Sequence, residues 1–151
     1  MNQITSIVYL SKANDEFRKR DARQQLKIHA QSKNNKRDIS GLLIYAEGYF
    51  MQIIEGASAE IDALYANISH DPRHSRLDLL TRTVGSTRMF SKWSMGLVET
   101  EDVSDLHVSL DDRLAAIASL RTRMQSEQVP ASAFIEAFLD PKNAGEEHAI
   151  A

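Results

Sequence analysis

Five side chains carry hydrogen-bonding or polarisable groups, four of them in expected strands and one where the first helix gives way to the second strand. They are Tyr9 in QITSIVYLS, Asn34 in NNKRDIS, Gln52 in FMQIIEG, and Trp93 and Met95 in SKWSMG. Gln52 poses the sharpest problem. Phe50, Met51, Ile53 and Ile54 describe a strand buried on both faces, and alternation points Gln52 the same way as Phe50 and Ile54. Its amide carries two donors and an acceptor oxygen. Leaving such a group buried and unpaired costs about 1–3 kcal/mol. Taken singly, the other four have bland readings: a core tyrosine, a helix-capping asparagine, a core tryptophan and a core methionine. Together they are a phenol, two amides, an indole and a thioether. That set suits a flat heteroaromatic ring whose edge alternates donors and acceptors, and a flavin fits that description.

Other chemistries find little support. There is no Gly-rich phosphate loop, nucleophile elbow or HExxH motif. The absence of cysteine removes disulfides, thiolate catalysis and thiolate metal sites. His70 and His74 flank Asp71 and Arg73 in HDPRH, but Pro72 breaks the helix that would align an i, i+4 metal pair, so a polar helix exit is expected and no metal. Glu55, ahead of Gly56, reads as a structural turn residue. A net charge of −3 argues against a nucleic-acid partner, and the basic cluster Lys33, Lys36, Arg37 reads as a solvated helix end. No apolar run is long enough to span a membrane and the start lacks signal-peptide features, so a cytoplasmic protein is expected.

The elements that must position these residues follow from periodicity. Residues 3–11 are rich in β-branched and aromatic types and predict a first strand. Asn14 and Asp15 can cap a polar helix over 15–33, whose apolar stripe of Phe17, Ala22, Leu26, Ile28 and Ala30 is thin. Residues 39–46 and 49–55 form a hairpin around Glu47-Gly48, apolar at both parities and so covered on both faces. Ser58 can cap a helix with Ile61, Leu64, Tyr65 and Ile68 on one face, closed by Pro72. Two strands are expected over 76–87 and 93–99, the second carrying Trp93 and Met95 on one face. An acidic linker follows. Then come a helix from Ser109 to Gln125 with Leu110, Leu114, Ile117, Leu120 and Met124, and a short helix from Pro130 with Phe134, Ile135, Phe138 and Leu139. The order β-α-β-β-α-β-β is the split βαβ, ferredoxin-like pattern of an α+β protein. Both internal helices lie on one sheet face, which leaves the other face for the C-terminal helices. The tail 142–151 is expected to be disordered.

At this point the sequence resembles the BLUF domain, the blue-light sensor that binds flavin non-covalently. The matching segments are IVYLS (7–11), NNKRDISGLLIY (34–45), FMQIIEG (50–56), ISHDPRH (68–74) and FSKWSMG (90–96), in order over roughly residues 3–100. The resemblance implies a sensor domain over 1–100, an output segment over 101–141 and FAD as cofactor, with FMN or riboflavin as alternatives. It implies that Tyr9 donates an electron and a proton to photoexcited flavin and that Gln52 bridges Tyr9 and the flavin N5/O4 edge. Asn34 would hold the pyrimidine side, and Trp93 and Met95 would compete for space beside Gln52. Leu26 and Ile68 would sandwich the ring, while Asp71, Arg73 and His74 would lie toward the rim or the phosphate-adenine tail. Ser40 stands where the family often has Thr, Asn67 where several members are basic, and Ala30 where some have Ser.

The implied protein is a light sensor and not an enzyme, since the residues after 100 are too few for a cyclase or phosphodiesterase. Its signal would leave through a downstream signalling protein or a change of homo-oligomer. The alternative is a ferredoxin-like binding module or small hydrolase that never holds flavin.

Overall fold

The computed structural model describes residues 3–71, 74–99 and 109–140, with the backbone alone at 74 and 75. The chain divides into two compact units, Met1–Glu99 and Thr100–Ala151. The expected linker and tail, and the helix stop at Pro72, lie outside the described residues.

The first unit is a five-stranded sheet: β1 (Ile4–Ala13), β2 (Ser40–Ala46), β3 (Tyr49–Gly56), β4 (His74–Gly85) and β5 (Gly96–Glu99), in the order β4-β1-β3-β2-β5. β1 pairs antiparallel with β3 and β4, β2 antiparallel with β3, and β5 parallel with β2. Helices α1 (Arg20–Lys36) and α2 (Ser58–Ser69) connect the strands, which gives the ferredoxin-like α+β arrangement. Alternation sorts the side chains. Ile7, Tyr9, Leu43, Tyr45, Phe50 and Ile54 join one core cluster with Ile61 and Met95, against which Leu26, Leu64 and Ile68 pack. Val8, Leu10, Leu42, Ile44, Met51 and Ile53, of opposite parity, are buried as well.

The β2–β3 turn is built as expected. Glu47 and Gly48 both have positive φ, at 46° and 88°, the signature of the two-residue turn that matches strand twist. Gly41 is required for another reason: a Cβ there would run into the backbone carbonyl of Ile53.

Four expectations are corrected. The first helix is two pieces, a 3-10 turn at Asp15–Arg18 and α1, because Asn14 accepts from Phe17 N at 3.4 Å and Lys19 stays extended. Within α1 the buried residues are Arg23 and Asn34, whereas Ile28 is exposed. Ser58 does not cap α2. The N-cap is Ala57, and the Ser58 hydroxyl accepts instead from Arg82 Nη2 at 2.9 Å. Finally, β5 starts only at Gly96, because Trp93 N–H bonds back to Phe90 O at 3.0 Å and closes a turn there.

The second unit contains α3 (Leu110–Arg123), capped by the Ser109 hydroxyl accepting from Asp112 N at 3.1 Å, and α4 (Ala131–Leu139). Arg113 is buried and its guanidinium donates to the Phe138 and Leu139 carbonyls, which satisfies carbonyls left without a helical partner at the C-terminal end of α4. Ile117, Leu120, Phe134 and Phe138 are enclosed. Among the described residues, no helix is long and apolar enough to cross a membrane.

Candidate functional site

Tyr9 and Gln52 face each other directly across the β1–β3 ladder. Both point to the side of the sheet that carries α1 and α2. The Tyr9 hydroxyl donates to Gln52 Oε1 in a buried hydrogen bond, and Gln52 Nε2 donates to Met95 Sδ at 3.5 Å. The amide thus links a phenol to a thioether. Sulfur is a weak acceptor, so the donor capacity of Nε2 is only partly met from within the protein. A register shift between Val8 and Tyr9 on the β4 side marks a bulge beside the tyrosine, a common device for aiming a side chain. The Tyr65 ring meets Tyr9 edge-on at 6.0 Å between centroids. Burial, and after it the nearby Asp78 carboxylate, raises the Tyr65 phenol above its ordinary value.

In front of this pair lies a cavity of about 320 Å³, near the lower end of the usual range for ligand sites of about 300–1,000 Å³. Tyr9, Leu43 and Gln52 form its floor, Leu26 and Ala30 its α1 wall, and Leu64 and Ile68 its α2 wall. The two walls thus set apolar side chains of α1 and α2 on opposite sides of the cavity. Asn34 is buried at the inner end of α1 and donates through Nδ2 to Ser94 O at 2.9 Å. Of the residues singled out from sequence, Tyr9, Leu26, Asn34, Gln52, Ile68 and Asp71 line this one cavity. Arg73 and the side chain of His74 fall outside the described residues.

Sequence reasoning placed Lys33, Lys36 and Arg37 at a solvated helix end. They line the cavity, together with His29 and Asn67. The signal was present: Leu26, Ala30 and Lys33 recur at helical spacing on one face of α1, and Arg37, its C-cap, continues the spacing. Among the described residues, no cluster of His, Asp or Glu could hold a metal ion.

Trp93 and Met95 do not share a face. Met95 is 1% exposed and sits against Gln52, while Trp93 is 52% exposed and stacks on Phe90 at 6.0 Å and 16°. The turn before β5 separates them, and the alternation assumed from sequence does not hold outside a strand. Three bonds hold this segment: Gly41 N to Trp93 O at 3.0 Å, Asn34 Nδ2 to Ser94 O, and Gln31 Nε2 to Met95 O at 2.9 Å.

A buried phenol–amide pair at the base of a two-walled slot is the arrangement that the sequence motifs implied. The family model described as BLUF, sensors of blue-light using FAD, matches residues 4–96. The chain belongs to the BLUF family. Its similarity to the photoactivated adenylate cyclase subunit alpha of Euglena gracilis is 37% identity over 95 residues, 62% of this chain and 9% of that protein. The blue light- and temperature-regulated antirepressor BluF of Escherichia coli K12 is 28% identical over 114 residues, 76% of this chain and 27% of the relative. The chain therefore spans less than a third of either relative. Among solved structures, a bacterial light-regulated adenylyl cyclase superposes with a TM-score of 0.66 at 26% identity, covering 88% of this chain and 38% of that one. The dark-state structure of the BLUF protein BlrB superposes with a TM-score of 0.63 at 24% identity, over 97% and 98% of the two chains.

The BLUF site fits a flavin on its own chemistry. It offers an under-satisfied amide donor on the floor, apolar walls from two helices, and a cationic rim from Lys33, Lys36 and Arg37.

Proposed function

We propose that this BLUF protein holds FAD in the cavity between α1 and α2 and acts as a blue-light sensor whose output is a protein contact and not catalysis. The observation that carries this reading is the Tyr9–Gln52–Met95 chain of hydrogen bonds at the cavity floor. Leu26 and Ile68 would sandwich the ring, Asn34 and Gln52 would bond its polar edge, and Lys33, Lys36 and Arg37 would face the phosphates. Arg73 and His74 are assigned to the same tail by the family resemblance alone.

A bound flavin supplies absorption of blue light and, once excited, oxidising power. With flavin bound and excited, Tyr9 would be the residue to supply it an electron, and its hydroxyl proton would leave along the hydrogen bond it already donates. Gln52 Oε1, which accepts that hydroxyl in the resting arrangement, is the atom placed to receive the proton. On return the Gln52 amide would be rotated or tautomerised, with Nε2 no longer directed at Met95 Sδ, and it would then offer a changed hydrogen bond to the ring edge, to which the red shift is assigned. Met95 immediately precedes β5, so release of its sulfur disturbs the strand that leads to the C-terminal helices.

We assign residues 1–100 to sensing and 101–141 to output. A downstream signalling protein or a second copy of the chain would read the change. The test is colour. Purified protein should be yellow and release FAD on denaturation, and blue light should shift its absorption to the red. A colourless protein that cannot be reconstituted with FAD, FMN or riboflavin overturns the reading.

A further inference from the structure

Glu55 lies three residues after Gln52 on β3, fully buried, and its carboxylate has no part in the photochemistry described above. It accepts three hydrogen bonds: from Ser40 Oγ at 2.9 Å, Met89 N at 2.9 Å and Phe90 N at 2.6 Å. Arg88 seals the same joint, donating to Ser40 Oγ at 3.0 Å, to Glu55 O at 3.3 Å and to Asp38 O at 2.8 Å. A buried carboxylate is therefore used to grip the backbone of the segment between β4 and β5. That segment delivers Met95 to Gln52 and keeps Trp93 outside.

Chain geometry shows what the grip controls. Trp93 and Met95 are two residues apart, so exchanging them beside Gln52 requires the segment to slide by two residues, about 6.6 Å in extended chain. The slack must come from upstream of Trp93. Between Phe90 and Trp93 the chain makes a turn closed by Trp93 N to Phe90 O at 3.0 Å. Such a turn holds its ends within about 7 Å, and three residues fully extended reach only about 10–11 Å. Opening it therefore yields about 4 Å, which is too little. Besides breaking the bonds to the Trp93, Ser94 and Met95 carbonyls, the slide requires the Met89 and Phe90 amides to leave Glu55.

We propose that Glu55 is a positioning residue for the light response, a clamp on Met89 and Phe90 that decides which of Met95 and Trp93 stands against Gln52. With the clamp closed, Met95 stays in contact and Trp93 stays stacked on Phe90. With it open, the segment can slide and the indole can take the place of the thioether. The clamp rests on the sensor reading for its optical readout only, because the position of Trp93 can be followed without flavin.

Trp93 is the only tryptophan in the sequence, so its fluorescence reports the exchange directly. Glu55→Gln keeps the side-chain volume but turns one acceptor into a donor facing a backbone N–H. Loss of a charge-assisted hydrogen bond should shift the balance between the two arrangements about tenfold. In the dark, acrylamide quenching of Trp93 should fall as the ring becomes buried. In the flavin-loaded protein the dark-recovery rate should change by a similar factor while the red shift itself survives. Arg88→Gln should move both readouts the same way, and it carries the test if Glu55→Gln fails to fold by circular dichroism. Folded variants with unchanged quenching and unchanged recovery overturn the clamp. If wild type shows no red shift, the sensor reading fails, and the quenching arm still decides the clamp.

Discussion

Arg23 Nε donates to Glu99 Oε1 at 2.8 Å across 76 positions of sequence, and both side chains are 3% exposed. The same guanidinium lies over the Tyr45 ring at 3.8 Å and donates to the Phe17 and Arg18 carbonyls at 3.2 and 2.7 Å. Glu99 is the register partner of Tyr45 at the end of β5. One arginine of α1 therefore ties down the last residues of the edge strand that begins beside the Gln52 amide. Arg23→Met would leave the Glu99 charge buried, and breaking such a pair costs about 3–5 kcal/mol. Arg20, 3.3 Å from Glu99 Oε2, offsets part of this and puts the loss near the lower end. Urea unfolding followed by circular dichroism measures it. The double variant Arg23→Met, Glu99→Leu should recover most of the loss, since it leaves no unpaired charge.

Tyr9→Phe should fold and bind flavin, because the ring volume is kept, but should lose the light-induced red shift. Absorption spectra before and after blue light decide it. A normal red shift removes Tyr9 from its role.

Gln52→Leu should also bind flavin without switching. The volume is conserved and the amide is removed together with the need to satisfy it, so stability should change by less than about 1.5 kcal/mol. The dark spectrum should move, as the ring edge loses a donor. An unchanged dark spectrum with an intact photocycle would make Gln52 a core residue only.

The raised Tyr65 phenol gives a pH dependence of definite sign. Folding favours the protonated form, by burial first and by repulsion from Asp78 second. This contribution is whole below about pH 10, the value in the unfolded chain, and is lost as pH climbs through the higher folded value. Denaturation midpoints should therefore decline above about pH 10, and Tyr65→Phe should make that decline shallower.

Truncation after Thr100 tests the assignment of output to the C-terminal helices. Absorption should change little, while sizing in dark and light should show altered assembly. A soluble truncated protein with the full-length assembly in both dark and light would show that α3 and α4 carry no signal.

Much of this was legible in the residues themselves. Period-two runs and the Glu47-Gly48 turn specify the sheet strands locally, since side-chain alternation and turn sterics act over a few residues. The buried amide of Gln52 announced a polar partner for the same reason: its desolvation cost is intrinsic to the group. Which partner satisfies it was another matter. Tyr9, Gln52 and Met95 meet only because β1 and β3 pair in one register and the segment before β5 folds back onto them. The outward position of Trp93 follows from a turn closed by one hydrogen bond, where period-two reading no longer applies. Nothing in the local pattern marks Arg23 or Glu99 for burial. Long-range pairing makes their burial tolerable, because each supplies the counter-charge that the other, alone in the interior, would lack.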